Sequence, residues 1–141
     1  MFSESLTMTG RLEIALNGEL IKEVPNLVVT SGKEFVASRM KDATTTAMSH
    51  MAVGSGSTTP AAGDTALGSE LDRQALTSTT VSSNEITYVA TFGAGDGTGA
   101  ITEAGLFNAA SGGDMLCRTT FAVVNKGASD SMTITWVVTV S

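Results

Sequence analysis

Residues 132–140 read MTITWVVTV, a strict alternation of large apolar and smaller residues that suits a half-buried β-strand and no helix. The same period of two recurs twice more. In residues 11–17 it places Leu12, Ile14 and Leu16 on one face, and in residues 85–92 it places Ile86, Tyr88, Ala90 and Phe92 on one face. Turn signals separate these runs: Asn17-Gly18, the glycine-rich stretch 93–99, residues 111–114 and residues 125–127. Short strands at regular spacing with turns between them predict an all-β domain with one short helix, folded as an antiparallel β-sandwich or a jelly-roll-like barrel.

The remaining segments fill in this plan. Asn17-Gly18 predicts a hairpin whose return strand is residues 20–24, and Pro25 bends the chain before residues 26–29. Ser31 and Glu34 have capping-box spacing, which predicts one helix over residues 31–40 with Phe35, Val36 and Met40 available to one side. Further strands are expected at residues 47–53, 73–81, 101–107 and 115–121. Residues 1–8 read as a short polar arm and residues 9–141 as one domain. Between two strands lies a long, nearly charge-free loop, residues 54–68, whose one charge is Asp64 and whose one sizeable apolar side chain is Leu67. A loop of this length in a small domain is uncommon and is usually functional or disordered.

Composition narrows the chemistry. Only 16% of the 141 residues are charged, and the net charge is −6 with eight scattered basic residues. Phosphate binding needs clustered Lys and Arg, so nucleic acid is not expected as a partner. No run approaches a membrane span, the N-terminus lacks a signal-peptide pattern, and the single Cys117 cannot close an intramolecular disulfide. A protein made and folded in a cytoplasm is the expectation.

Candidate sites are weak in the sequence. The turn 93–99 matches neither G-x-G-x-x-G nor G-x-x-x-x-G-K-[ST]; the looser form ending in Ala is met by Gly95, Gly97 and Ala100, but no helix is predicted to follow, and Asp96 alone is a poor Ca²⁺ ligand set. His50, the only histidine, cannot build a His-based zinc site with Cys117 unless carboxylates complete it. No nucleophile elbow supports a Ser-His-Asp triad. Glu70 with Asp72, or Glu103 with Asp114, could form a carboxylate pair for glycoside hydrolysis, and an enzyme of that type would lose turnover on changing Glu103 or His50. The aromatic platforms usual in carbohydrate sites are scarce, with one Trp and one Tyr. The preferred expectation is no enzyme, no cofactor and no metal. Cys117 reads as a core side chain, because the neighbouring Arg118 points to the opposite face of its strand.

Residues 48–71 (MSHMAVGSGSTTPAAGDTALGSEL), 101–108 (ITEAGLFN), 115–121 (MLCRTTF) and the closing TITW resemble, in this order, a group of small virion proteins of tailed bacteriophages. Similar words occur in modules of tail-fibre and baseplate proteins. The resemblance implies a non-enzymatic structural protein of the virion. With one small domain and no shaft repeats, a capsid decoration (cement) protein that bridges and stabilises major capsid subunits is the favoured form. The alternative is a tail-fibre or baseplate-associated protein that binds a host surface. Self-association is expected, a trimer being one form, with no nucleic-acid or membrane partner. The expected contact residues are Phe2 and Leu6 in the arm and Thr58, Thr59, Pro60, Asp64 and Leu67 in the long loop. Shortening residues 58–65 is expected to weaken attachment while leaving the domain folded.

Overall fold

The computed structural model describes residues 4–41 and 45–141. Phe2 lies outside the described residues. The described residues form two antiparallel five-stranded sheets packed face to face as a sandwich, with one helix; the sheets do not close into a barrel. The elements in order are β1 (Met8–Leu16), β2 (Glu19–Pro25), β3 (Leu27–Val28), α1 (Thr30–Lys41), β4 (His50–Gly54), β5 (Glu70–Ala75), β6 (Ser78–Ser82), β7 (Glu85–Phe92), β8 (Gly99–Phe107), β9 (Met115–Lys126) and β10 (Met132–Val140). The first sheet has the order β2-β1-β10-β7-β6 and the second β3-β9-β8-β4-β5.

The alternating runs do what their pattern requires. Leu12 and Ile14 of β1, Tyr88, Ala90 and Phe92 of β7, and Met132, Ile134, Trp136 and Val138 of β10 form the inner face of the first sheet. Met51, Val53, Ile101, Ala104, Leu106, Cys117 and Val124 meet them from the second sheet. Trp136 is wholly buried, and burying an aromatic of this kind contributes roughly 1.5–3 kcal/mol before cavity effects. Asn17 and Gly18 take positive φ values of 51° and 83°, and their turn joins β1 to β2 as the dipeptide predicts. Cys117 faces this core, and burial pushes its thiol well above the ordinary range.

Two local expectations are corrected. Residues 73–81 do not form one strand. β5 ends at Ala75 in the second sheet and β6 begins at Ser78 in the first, so the chain crosses between sheets at Leu76 and Thr77. The capping box at Ser31 is not used either. The Ser31 hydroxyl donates to the Met115 carbonyl at 2.8 Å, and the first helical amide bond runs from Lys33 to Val29, so α1 starts earlier than the spacing predicts. Tertiary bonding takes the side chain that local capping would have used. Phe35 and Val36 pack on the main core, while Met40 stands in solvent at 80% exposure. The helix lies against the β9 backbone: Gly32 sits where any Cβ would collide with the Leu116 carbonyl. At the N-terminal end Thr7 exchanges backbone hydrogen bonds with Ser141, at 2.7 and 2.8 Å.

Candidate functional site

The outer face of the second sheet carries the chain's most concentrated polar chemistry. On β8, Glu103, Gly105 and Phe107 point outward, opposite the core-facing Ile101, Ala104 and Leu106. Ala52 of β4 pairs with Gly105, and Arg118 of β9 pairs with Gly105 from the other side. An outward face of a sandwich is ordinarily wet. Here Glu103 is fully buried and Arg118 is 2% exposed, because the long loop folds back across them.

Glu103 organises that loop. Its Oε2 accepts the amides of Gly56 and Ser69, each at 2.7 Å, and its Oε1 accepts the amide of Gly68 at 2.8 Å. Oε1 also accepts Arg118 Nη2 at 2.9 Å and Nε at 3.3 Å. The two ends of the loop are therefore gathered onto one carboxylate. The middle is gathered onto Arg118, whose Nη1 donates to Asp64 at 3.0 Å. Asp64 in turn closes a turn on itself by accepting the Ala61 amide at 2.9 Å. Thr102 Oγ1 donates to the Gly56 carbonyl, and the Thr30 amide at the start of α1 donates to Ala62. The small residues have a steric reason: a Cβ on Gly56 would run into the Glu103 carboxylate.

A second, smaller core lies under the loop. Val29, Ala52, Phe107 and Met115 are buried together, and Leu67 of the loop packs on them. Arg73 of β5 stacks over the Phe107 ring, with its guanidinium carbon 3.8 Å from the centroid. Its remaining donors go to the carbonyls of Ala109 and Gly112 and to the Glu70 carboxylate. The sequence-expected contact residues thus divide. Asp64 and Leu67 hold the loop down on its own domain, whereas Thr58 and Thr59 are exposed and Pro60 is half-buried. Pro60 borders a shallow groove of about 360 Å³ shared with Val24, Pro25, Leu27, Thr119 and Thr120. Leu6 of the arm is 71% exposed.

This arrangement decides what Glu103 can do. Both of its oxygens are occupied by donors, and no surface of it reaches solvent. It is built to fix a loop, not to exchange protons with a substrate. Asp114, its proposed partner, instead receives a bond from Asn108. Glu70 pairs with Arg73 and Asp72 with Gln74, so neither pair is left converging on an open cleft. His50 Nδ1 is bonded to Ser49 Oγ at 2.7 Å. Among the described residues, no three His, Cys, Asp or Glu side chains converge as a metal site.

Shortening residues 58–65 would remove Asp64 and the pull of Arg118 on the loop, so the loop is part of the folded unit and is no detachable connector. Burial on its own pushes the Glu103 carboxyl up. The amides of Gly68 and Ser69, the Arg118 guanidinium and the Gly56 amide outweigh it and hold the carboxyl below its ordinary value of 4.5. A group depressed in the folded state stabilises the fold above its unfolded pKa and loses that contribution as pH falls through the folded value. The midpoint of urea unfolding should therefore hold steady near neutrality and fall as pH drops below about 4.5, the ordinary carboxyl range. Asp130, held low by Asn17 and the Gly127 amide, titrates in the same direction. The Glu103→Gln variant should lose part of this acid slope; an unchanged slope would count against the assignment to Glu103.

No family model, no curated protein and no solved structure matches the chain.

Proposed function

We propose that this chain is a non-enzymatic structural protein of a tailed-phage virion, and specifically a capsid decoration protein that bridges major capsid subunits. One observation carries the binding part of this reading. The long loop is seated on the domain by the hydrogen-bonded charge network of Glu103, Arg118 and Asp64, and it turns small, uncharged side chains outward at Thr58 and Thr59. A loop whose charges are satisfied internally and whose crest is neutral suits close packing against another protein surface, and its ordering cost is met within the domain. The resemblance of residues 48–71, 101–108 and 115–121 to small virion proteins supplies the particle.

The mechanism is mass action. Each copy binds neighbouring shell subunits across their junction more tightly than it binds free subunits, so every bound copy stabilises the assembled shell. Self-association multiplies weak contacts through effective concentration. Leu6 and the Pro60 groove extend the contact surface beyond the loop crest.

Quantitative mass spectrometry of purified virions tests the reading. A decoration protein is present in numbers comparable to the shell subunits, and particles lacking it rupture at a lower temperature. A Thr58→Lys/Thr59→Lys variant, changed only at exposed positions, should fold normally and occupy the shell poorly. A handful of copies confined to the tail would overturn the decoration reading in favour of a tail-fibre or baseplate role.

A further inference from the structure

The two sheets present four edges, and two of them carry charges, a proline or register shifts that discourage pairing with another strand. β2 holds Glu19, Lys22 and Glu23, ends in Pro25, and pairs with β1 through a register shift. β5 holds Glu70, Asp72 and Arg73, with a register shift against β4. The third edge is β3, only two residues long, and beyond it residues 119–126 of β9, whose one charge is the terminal Lys126. The fourth edge, β6, reads STTVS: no charge, no proline, β-branched at three of its five positions, and exposed along its whole length. It pairs with β7 in unbroken register from Ser78↔Val89 to Ser82↔Glu85. Val81 is 70% exposed on it.

We propose that β6 is a self-association surface, on which two copies of this chain join edge to edge through antiparallel β6 strands about a two-fold axis at Thr80. The geometry selects this register. The two-residue turn at Ser83 and Asn84 makes Ser82 and Glu85 the closing hydrogen-bonded pair of the hairpin, so alternation turns the backbone N–H and C=O of Thr79 and Val81 away from β7. With Thr80 opposite Thr80 of the second copy, Thr79 exchanges both backbone bonds with Val81 of that copy, and the two-fold repeats the exchange. Ser78 then faces Ser82 across the axis. A strand without charge sets no like charges against itself in a two-fold arrangement, where each residue meets its own strand's chemistry. The turn is held for this by Asn84, which bonds the Val140 carbonyl through Nδ2 and accepts the Val140 amide at its own carbonyl, each at 2.9 Å. The pairing concerns the free chain and stands independently of any place on a virion.

Light scattering on the eluting full-length chain tests it, with two variants. The unmodified chain should run as a concentration-dependent dimer. Val81→Lys should run as a monomer with an unchanged circular dichroism spectrum and a thermal midpoint that no longer rises with protein concentration. Thr80→Cys should cross-link to itself on mild oxidation, because facing residues in a non-hydrogen-bonded antiparallel pair lie about 4.5 Å apart at Cα, within disulfide range. Ser78→Cys, which faces Ser82 and not itself, should not, and Cys117 is too buried to compete. Should Val81→Lys fail to fold, the two cysteine variants still decide. A chain that stays monomeric at every concentration overturns the pairing, as does a dimer that survives Val81→Lys or cross-links equally through Ser78→Cys. A monomer that instead takes up an added extended peptide at β6 would assign the edge to a different protein and would also overturn it.

Discussion

Replacing Glu103 by Gln is expected to lower the free energy of unfolding by about 3–5 kcal/mol, the range for breaking a buried ion pair by removing one partner. The shape is kept, so packing is not at issue. The amide nitrogen of Gln must face donors whichever way it turns: Gly56 and Ser69 on one side, Gly68 and Arg118 on the other. Arg118 is left with Asp64, which is itself partly solvated. Equilibrium urea unfolding followed by circular dichroism measures the loss, and a change within about 1 kcal/mol, the scale of an exposed pair, would remove Glu103 from its central place. The double variant Glu103→Gln/Arg118→Met separates two contributions. If the ion pair were the whole interaction, removing both charges would restore much of the stability. Because the carboxylate also holds three loop amides, the double variant should remain well below the unmodified protein. Loss of any function in Glu103→Gln therefore reports on the loop's seating and is no sign of catalysis.

Phe107→Ala should cost a similar amount, about 3–5 kcal/mol, as expected for truncating a buried Phe. Phe107 is 1% exposed and forms the floor on which Leu67 sits and the plate on which Arg73 stacks. The cavity would open beneath the loop and not between the sheets. Hydrogen exchange should accelerate at Leu67 and its neighbours more than at Trp136, whose surroundings are untouched. Phe107→Leu keeps part of the volume and should lose less. Equal acceleration across both cores, or a stability loss below about 1 kcal/mol, would mean that the small core contributes little of its own.

The strands were legible because their chemistry is local. Period-two alternation in β1, β7 and β10 needs no knowledge of partners, and Asn17-Gly18 encodes its hairpin within two residues. The misread stretch 73–81 shows the limit: Arg73, Gln74 and Ala75 satisfy one sheet, Ser78 to Ser82 the other, and nothing in a run of small β-formers marks the crossing. The site was illegible for a related reason. Glu103 and Arg118 meet because β8 and β9 pair with Glu103 opposite Thr120 and Gly105 opposite Arg118, a register that local pattern does not encode. A signal was nonetheless present. In a chain this poor in charge, Glu103 and Arg118 are lone opposite charges inside two otherwise neutral strand segments, ITEAGLF and MLCRTTF. Two such residues are expensive to bury separately and far less so together.

The place of β10 in the first sheet bears on how the chain is made. It lies between β1 and β7, pairing with Met8–Leu16 on one side and Glu85–Phe92 on the other. During synthesis from the N-terminus, the first-sheet hairpins β1–β2 and β6–β7 emerge long before the strand that joins them. Until residues 132–140 leave the ribosome, both hairpins display a bare edge and an uncovered apolar face. Closing so large a sequence interval last makes folding slow relative to helical domains of equal size. It also makes the interval between the emergence of β7 and that of β10, at roughly 5–20 residues per second, the time in which the nascent chain is most open to wrong strand partners.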